Sequence, residues 1–553
     1  MSVEKLIVDH METWTSALQT RSTAGRGSSG KIDLYGIKKL RELILELAVR
    51  GKLVPQDPND EPASDLLKRI AAEKAELVKQ GKIKKQKPLP EISEEEKPFE
   101  LPEGWEWVHL PDIYCSISES SRKIKSSEIL PEGKYPVIEQ SQEFISGYCN
   151  NECLLIKLNN PVIVFGDHTR NIKFIDFDFV VGADGVKILS PILICERFFF
   201  WQLRSFKLDV RGYARHFKVL NSCLFALPPI AEQERIVEKV SSLMSLCDQL
   251  EQQSLTSLDA HQQLVETLLG TLTDSQNTAE LAENWARISE HFDTLFTTEA
   301  SVDALKQTIL QLAVMGKLVP QDPNDEPASE LLKRIAQEKA QLVKEGKIKK
   351  QKPLPPISDE EKPFELPEGW EWCRIGNIVN IKSELVSPKD YLNLYQVAPD
   401  IIEKGTGRVI SKRTVKESGV KGPNSRFYKG QIVYSKIRPS LSKVFLAEYN
   451  GLCSADMYPL DCYINPNYLL KYILSIPFLM QVKKAENRIK MPKLNSDSFY
   501  NIIVAIPPYN EQQAIFDKIN SIEAVCNGLI SYIGIYHKTQ VHLADALTDA
   551  AIN

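Results

Sequence analysis

Features of secreted, membrane and disulfide-bonded proteins are missing from this sequence of 553 residues. No apolar run approaches the ~18–20 residues that a membrane helix needs. The stretch 1–14 contains acidic residues and no continuous apolar core, so we expect no signal peptide. The ten cysteines form no Cys-x-x-Cys pair, which favours scattered, reduced thiols over a zinc site. We therefore expect a cytoplasmic protein that does not contact the membrane.

Motifs for catalysis or cofactor binding are also missing. Segment 25–31 has the spacing of a phosphate-binding loop, but Ile32 stands where Ser or Thr would bind Mg²⁺, so we interpret it as a linker. The Pro-Pro pairs at 228–229 and 507–508 are not preceded by the Asn or Asp that adenine methylation uses. No Ser/His/Asp set or metal-ligand spacing occurs. The sequence predicts no catalytic residue, no metal site and no cofactor in this chain.

The net charge of −5 is unevenly distributed. Segment 368–508 has 20 Lys and Arg against 12 Asp and Glu, whereas segment 103–229 has 14 against 15. The rest of the chain is acidic. The basic segment favours a nucleic-acid partner, and the nearly neutral one favours a scaffold that binds proteins.

An internal repeat dominates the sequence. Residues 48–107 match residues 313–372 at 53 of 60 positions without a gap. A weaker repeat aligns 226–236 with 505–515, and the blocks between these flanks look unrelated to each other. The pattern predicts two nearly identical frames that hold two different blocks. Such a plan indicates one task performed twice with different specificities.

Hydrophobic spacing predicts the elements of each frame. Apolar residues recur every three or four positions after each Pro-Pro pair, from Ile236 and from Ile515, which predicts two long helices. We expect these two stripes to face each other in an antiparallel coiled coil. Shorter amphipathic helices precede Gly51 and Gly316, the residue type that ends helices. Short apolar runs between Gly, Asp and Asn predict that both blocks are mixed α/β domains.

This layout resembles the specificity (S) subunit of type I restriction–modification enzymes. Pro-Glu-Gly-Trp-Glu-Trp opens each block at 102–107 and 367–372. A Pro-Pro pair followed by Glu-Gln closes each block, and Leu-Ala-Val-x-Gly-Lys-Leu begins at Leu47 and at Leu312. The resemblance covers about residues 31–550 and is strongest to the class with the long PQDPNDEPAS repeat, often labelled IB.

The resemblance implies a non-catalytic subunit that recognises an asymmetric, bipartite target in double-stranded DNA. It implies assembly with two methyltransferase (M) subunits, which would bind S-adenosylmethionine, and two restriction (R) subunits, which would bind ATP and Mg. The implied fold is α+β, with two mixed α/β target recognition domains separated by long antiparallel coiled-coil helices in a pseudo-two-fold repeat. The main alternative is a coiled-coil scaffold or adaptor that does not read DNA.

The expected domain boundaries follow the repeats. They are an N-terminal extension (1–30), a first conserved helical region (31–101), recognition domain 1 (102–229), coiled-coil helix 1 (230–271), a linker (272–300), a second conserved helical region (301–366), recognition domain 2 (367–508) and coiled-coil helix 2 (509–550).

Polar, basic loops of the two blocks supply the candidate DNA-binding residues, because such side chains donate to phosphates and base edges. In the first block they are His168, Thr169, Arg170, Asn171, Arg211, Arg215, His216 and Lys218. In the second block they are Ser435, Lys436, Arg438, Lys443, Arg488, Lys490 and Lys493. The alternative is that these are polar turns that happen to be basic. Segment 412–416 is equally compatible with a solvated rim, and the lysine runs at 82–87 and 347–352 with connectors or M contacts.

Overall fold

A computed structural model describes residues 3–21, 31–85, 87–117, 122–182, 185–208, 215–486 and 492–552. The helices are α1 (Val3–Asp9), α2 (Met11–Ser16), α3 (Tyr35–Val49), α4 (Ala63–Lys79), α5 (Glu196–Ser205), α6 (Phe217–Asn221), α7 (Ile230–Asp274), α8 (Thr278–Glu290), α9 (Phe292–Leu295), α10 (Glu299–Val314), α11 (Ala328–Lys344), α12 (Ile375–Ile378), α13 (Val415–Ser418), α14 (Pro466–Ile473), α15 (Ile476–Ala485), α16 (Ser496–Asn501) and α17 (Tyr509–Ile552). None of these helices is long and apolar enough to cross a membrane, among the described residues.

The strands lie mainly in the two blocks. In chain order they are β1 (Gln19–Arg21), β2 (Lys31–Asp33), β3 (Glu106–His109), β4 (Tyr114–Ile117), β5 (Tyr135–Ile138), β6 (Gly147–Cys149), β7 (Leu155–Ile156), β8 (Val162–Gly166), β9 (Ile172–Ile175), β10 (Phe179–Val181), β11 (Val186–Pro191), β12 (Leu224–Leu227), β13 (Glu371–Arg374), β14 (Val379–Ile381), β15 (Glu384–Val386), β16 (Tyr395–Val397), β17 (Asn424–Phe427), β18 (Ile432–Ser435), β19 (Val444–Leu446), β20 (Gly451–Ser454), β21 (Met457–Cys462) and β22 (Ile503–Ile506).

The chain forms two compact units. The first contains the N-terminal segment, residues 31–256 and the chain end from His537, and the second contains Ser257–Tyr536. Each unit therefore holds one β-rich block, one frame helix (α3 or α10), the first part of one long helix and the last part of the other.

The two blocks have the same strand plan, apart from one outer strand of the second sheet, although their sequences look unrelated. In block 1 one sheet has the order β4-β11-β8-β9 and the other β6-β5-β10-β7. Block 2 has β14-β21-β18-β19 and β15-β17-β20-β16. In each second sheet a central strand, β10 or β20, pairs in parallel with one neighbour, β5 or β16, and antiparallel with the other, β7 or β17.

Apolar residues from both sheets form the core of each block. In block 1 Ile138 and Phe179 of one sheet pack with Val164 and Ile175 of the other. In block 2 Val397 and Phe427 pack in the same way with Val433. Alternate apolar positions on facing sheets are the usual source of a sheet-on-sheet core.

An outer strand pair closes each block onto its frame. The strand after the Pro-Glu-Gly-Trp motif pairs antiparallel with the strand before the Pro-Pro pair, β3 with β12 and β13 with β22. The long helices α7 and α17 begin directly after those prolines, where a fixed φ suits a helix start. The frame helices α3 and α10 end as predicted, since Gly51 and Gly316 have left-handed φ values of 67° and 72°.

In the first unit, α3 lies between segments of both long helices. The contacts are Tyr35 Oη to Asp545 Oδ1 (2.7 Å), Lys52 Nζ to the carbonyl of Ile552 (2.6 Å), Arg41 to Asp248 (2.6 Å) and Arg235 to Asp60 (2.6 Å). From Tyr35 to Lys52 the contacted residues of α17 rise from 545 to 552, whereas from Arg41 to Asp60 those of α7 fall from 248 to 235. The α7 and α17 segments of this unit are therefore antiparallel, as predicted.

The helix stripe packs differently from the sequence prediction. Ile515 and Ile519 of α17 pack into the core cluster of the second block with Trp370. Cys526 and Ile533 pack with the last part of α7, which includes Val265 and Leu269, and with α10. A frame helix thus shares the seam, because α10 has an apolar stripe of its own (Val302, Leu305, Ile309 and Leu312) to bury.

Two segments contain more structure than predicted. The stretch 272–300, expected as a linker, contains α8 and α9, and Ile288 and Leu295 are buried in the same cluster as the α10 stripe. The N-terminal extension contains α1 and α2, whose Trp14 is fully buried, and Gly36 donates its amide to the carbonyl of Ala17 over 3.0 Å. The phosphate-loop-like segment 25–30 lies outside the described residues.

Candidate nucleic-acid interface

One β-hairpin turn in each block carries most of the candidate residues. In block 1 the turn joins β8 to β9, and Arg170 has a left-handed φ of 63°. In block 2 the turn joins β18 to β19, and Arg438 and Ser442 have φ values of 45° and 47°. Such conformations cost non-glycine residues of order 1 kcal/mol and persist where surrounding contacts fix them.

Backbone hydrogen bonds join each turn to the segment before the last strand of the block. In block 1 the Asp167 carbonyl accepts from the His216 amide over 2.8 Å, and the Asp167 carboxylate accepts from the Phe217 amide over 2.8 Å. In block 2 the Arg438 amide donates to Pro492 and the Leu494 amide to Lys436, each over 2.9 Å. The two groups of candidate residues in each block, far apart in sequence, are therefore brought together.

The exposed cations of these surfaces are few. Arg215 and Lys218 are exposed beside the block 1 turn, and Arg438 is exposed on the block 2 turn. Lys436 and Lys493 both face Asp456, at 3.8 and 3.3 Å, so this carboxylate partly neutralises them. Arg211, Arg488 and Lys490 lie outside the described residues.

Burial corrects two of the candidates. His216 and Ser435 are each 1% exposed, so neither side chain reaches a ligand on the surface. His216 Nδ1 lies 3.1 Å from the carbonyl of Asp167, and Ser435 Oγ donates to the carbonyl of Ile437 over 3.0 Å. Each of these side chains stabilises its turn, because its polar atom contacts a backbone carbonyl of that turn.

Four more candidates bond to backbone carbonyls of their own block. Thr169 Oγ1 and Asn171 Nδ2 both donate to Gln140, over 2.5 and 2.9 Å. Arg170 Nη1 donates to Leu208 over 2.7 Å, and Lys443 Nζ donates to Pro399. Thr169, Asn171 and Lys443 therefore position neighbouring loops, whereas Arg170 has five donors and uses one of them in this bond.

A basic cleft of about 550 Å³ lies beside the block 1 turn. Its lining residues are Gln142, Thr169, Arg170, Asn171, Ile172, Lys173, Leu203, Arg204, Phe206 and Leu208. Three of these side chains are basic and none is acidic. The block is close to neutral overall, so this cleft concentrates positive charge where an anionic ligand would be attracted.

Sequence reasoning missed Arg204 and Lys173 of this cleft. Arg204 lies on the aromatic helix α5, with its guanidinium 5.5–5.6 Å from the ring centres of Phe200 and Trp201. Lys173 is 6% exposed, and burial lowers its pKa. The run of aromatic residues around Arg204 was the available signal, since cations among aromatics are common on nucleic-acid surfaces.

The remaining basic segments divide between paired and exposed side chains. Arg413 donates two hydrogen bonds to the Asp400 carboxylate, at 2.9 and 3.0 Å, so its charge is paired within the block. Lys412 and Lys416 are exposed. The described lysines of the two connectors at 82–87 and 347–352 are exposed as well.

A buried glutamate fastens each block to its frame, and we call this arrangement the clasp. In the first unit Glu232 accepts from the Trp105 indole over 2.9 Å and from Gln56 over 3.0 Å. In the second unit Glu511 accepts from the Trp370 indole and from Gln321, over 2.9 and 3.2 Å. Burial raises the pKa of both carboxyls. Each clasp joins the PQDPNDEP loop, the Pro-Glu-Gly-Trp motif and the start of a long helix.

Comparison with known proteins gives these motifs a family. The model of the type I restriction modification DNA specificity domain matches residues 102–260 and 367–533, more than half of the chain. The chain is 51% identical to the type I restriction enzyme EcoAI specificity subunit of Escherichia coli and 48% identical to the EcoEI specificity subunit, over the full length of each protein. This chain belongs to the family of type I restriction–modification specificity subunits.

A solved structure of the HsdS subunit from Thermoanaerobacter tengcongensis is 16% identical and covers 83% of this chain and 98% of its own, with a TM-score of 0.37. As a specificity subunit, the chain is a non-catalytic member of its restriction–modification system. The scaffold alternative is set aside by the family. No group of three His, Cys, Asp or Glu side chains in the described part of the chain could hold a metal ion.

Proposed function

We propose that this specificity subunit reads an asymmetric, bipartite DNA target, with one half-site recognised by each block. The observation that carries the proposal is the repeated arrangement of the two loops. In both blocks the hairpin turn is tied by backbone bonds to the segment before the last strand, on the same strand plan. The framework is shared while the side chains differ, as expected if each block reads a different sequence.

The exposed arginines are the groups best suited to the DNA. Arg215 lies in the segment before the last strand of block 1, and Arg438 lies on the hairpin turn of block 2, so each belongs to one of the two parts that backbone bonds join in a block. An arginine binds phosphate or makes two hydrogen bonds to guanine O6 and N7. Lys218 has the same exposure, and its single ammonium suits a phosphate contact.

The repeated frames are the proposed docking surfaces for the catalytic partners. Because the frame sequences match at 53 of 60 positions, they offer two nearly equivalent environments, which fits two copies of one M subunit. In this proposal S-adenosylmethionine binds the M subunits, and two R subunits bind ATP and Mg. The complex acts on double-stranded DNA in the cytoplasm.

Paired substitutions test this assignment. We expect Arg215→Ala to relax or weaken recognition of one half-site and Arg438→Ala to affect the other, each by about 1–3 kcal/mol if the contact is to a base. Loss of a phosphate contact would instead weaken all sequences equally and lower the salt slope by about 1. The measurements are DNA affinity of the assembled complex against salt and sequencing of methylated adenines in cells.

Lys157→Ala and Lys429→Ala are the controls, because these lysines are exposed in the two blocks and precede β8 and β18, at the opposite ends of those strands from the turns. Exposed substitutions away from a binding surface have little effect, so both controls should keep the wild-type motif. Unchanged affinity and an unchanged motif for both arginine variants would remove these surfaces from the DNA site.

A further inference from the structure

The hairpin turn of block 1 uses its polar side chains mainly to hold another loop, residues 139–144, which follows β5. Thr169 and Asn171 both donate to the carbonyl of Gln140. The side-chain oxygen of Gln140 in turn accepts from the amide of His168 over 3.2 Å. The residues that the sequence indicates as DNA contacts therefore fix the position of a loop that the sequence does not single out.

A buried lysine of β9, Lys173, also holds loop 139–144 in place. Lys173 Nζ donates to the carbonyl of Glu139 over 2.8 Å, to that of Phe144 over 3.3 Å, and to that of Glu143. Burying an ammonium is costly unless its donors are satisfied, and these three carbonyls satisfy them. Both ends of the loop are held by one side chain, so the loop is preorganised.

The middle of this loop presents Gln142 to the basic cleft. Gln142 is exposed and lines the cleft together with Arg170 and Arg204. Glu139 and Glu143, the acidic residues of the loop, are not among its lining residues. The cleft thus combines cations suited to phosphates with a side-chain amide suited to a base edge.

Block 2 repeats the tether. Lys443, the residue directly before β19, donates to the carbonyl of Pro399, two residues after β16. Asn171, the residue directly before β9, donates to the carbonyl of Gln140, two residues after β5. Unrelated side chains make the same connection at the same place. A tether kept with different chemistry indicates that the position of the loop matters in both blocks.

We propose that loop 139–144 is a base-reading loop of block 1, that Gln142 is a specificity-determining residue, and that Lys173 is its positioning residue. A glutamine amide makes two hydrogen bonds to adenine N6 and N7 in the major groove. Because the loop is already ordered, it loses little conformational freedom on binding DNA, which favours selective contact. The inference rests on the proposed function, that block 1 reads one half-site.

Sequencing of methylated adenines in cells that carry the complex tests the proposal. We expect Gln142→Ala to lower discrimination at one base pair of one half-site about 10- to 100-fold. The other half-site should stay unchanged. Asn160→Ala is the control, because Asn160 is exposed before β8, at the opposite end of that strand from the turn, and this variant should keep the full motif.

Lys173→Met should relax the same base pair as Gln142→Ala, whereas a purely structural role would lower activity on all sequences equally. An unchanged motif in Gln142→Ala, or uniform weakening across sequences, would overturn the base-reading role. If Arg215→Ala still changed that half-site, the proposed function would stand while this inference failed. If neither Gln142→Ala nor Arg215→Ala changed the motif, the assignment of DNA reading to block 1 would fail as well.

Discussion

The two blocks differ in charge and resemble each other in backbone. Segment 103–229 has a net charge of −1 and segment 368–508 a net charge of +8, from 14 − 15 and 20 − 12. Their sheets nevertheless follow one plan, and only the fourth strand of the second sheet changes place, beside β5 in block 1 and beside β17 in block 2. The pattern of apolar residues therefore determines the arrangement of the strands, and the net charge of a block varies independently of it.

The two copies of the repeat show the opposite relation, since nearly identical sequences lead into strands that end differently. Arg374, two residues after the second copy, corresponds to His109, two residues after the first, at the repeat offset of 265. Arg374 is buried and makes five hydrogen bonds, to Glu361 and to the carbonyls of Pro355, Pro356 and Asn501. The His109 side chain has only its Nε2 within hydrogen-bond distance of a carbonyl, that of Pro90 at 2.9 Å, among the described residues.

Replacing these two residues should therefore have unequal effects. We expect Arg374→Ala to destabilise its unit by about 3–4 kcal/mol, because three carbonyls and the Glu361 carboxylate lose their donor. His109→Ala should cost below about 1 kcal/mol. Hydrogen exchange of β22 and β12, the last strands of the two blocks, measures both. Equal loss of protection would contradict the asymmetry.

The two clasps, in contrast, should contribute equally to the stability of their units. Glu232→Ala and Glu511→Ala should each cost about 2–3 kcal/mol, because a buried indole N–H and a glutamine amide lose their acceptor. Glu→Gln at the same positions is the comparison variant: it removes a charge that burial disfavours and keeps one of the two acceptor oxygens, so it should cost less than alanine. Hydrogen exchange of β3 and β13 reports the loss. A difference of several-fold between the two alanine variants would show that the frames are not equivalent.

Lys339 makes the stability of the second unit depend on pH. Burial lowers its pKa to about 8, and its ammonium donates to the carbonyls of Gly376 (2.6 Å) and Val379 (3.0 Å). Between pH 8 and 10.5 the unfolded chain holds this proton and the folded chain releases it. The free energy of unfolding should therefore rise with pH across that window, relative to a Lys339→Met variant.

We expect a relative gain of about 2 kcal/mol, since partial exposure screens part of the effect. Denaturant unfolding of both proteins from pH 7 to 10.5 measures it. Lys74→Met is the counterpart in the first frame, where burial also lowers the pKa of the lysine, so it should show a pH dependence of the same sign in the first unit. A difference between wild type and Lys339→Met that stays constant with pH would contradict this assignment.

The smallest expected effect separates two arginines of the recognition blocks. Arg204 lines a cleft whose described lining residues include no acidic one, whereas Arg413 is paired with Asp400. Arg204→Ala should weaken DNA binding by about 1 kcal/mol and lower the salt slope, as expected for one phosphate contact. Arg413→Ala should leave the salt slope unchanged. The reverse result would move the DNA surface of block 2 to the segment around Arg413.

Much of the fold is readable from the sequence because repeats and periodic apolar residues are local signals. The start of both long helices, the ends of α3 and α10 at Gly51 and Gly316, and strands such as β8 follow from them. The prediction that the two long-helix stripes face each other was wrong. A stripe such as Ile515–Ile533 shows that one face of a helix is buried, but it does not show which element covers that face. Here α10 and the second block cover part of it.

The candidate surface was predicted less well, for a similar reason. Composition marks a loop as polar and basic, but it does not show whether a donor meets solvent or a carbonyl of the same block. His216 and Ser435 are buried, and the side chains of Thr169 and Asn171 donate hydrogen bonds to the carbonyl of Gln140. The loop 139–144 contains no cation, so nothing in its sequence pointed to nucleic acid. Its importance appears only from the tertiary contacts.

Exchange of one block is the most direct test of whether each block reads its own half-site independently. Residues 107–228 would be replaced by the corresponding block of a relative with a different target, keeping the clasp residues Trp105 and Glu232. Sequencing of methylated adenines in cells that carry the M subunit then gives the new motif. We expect one half of the motif to change and the other to stay the same. A change in both halves, or in neither, with the complex still assembled and active, would contradict it.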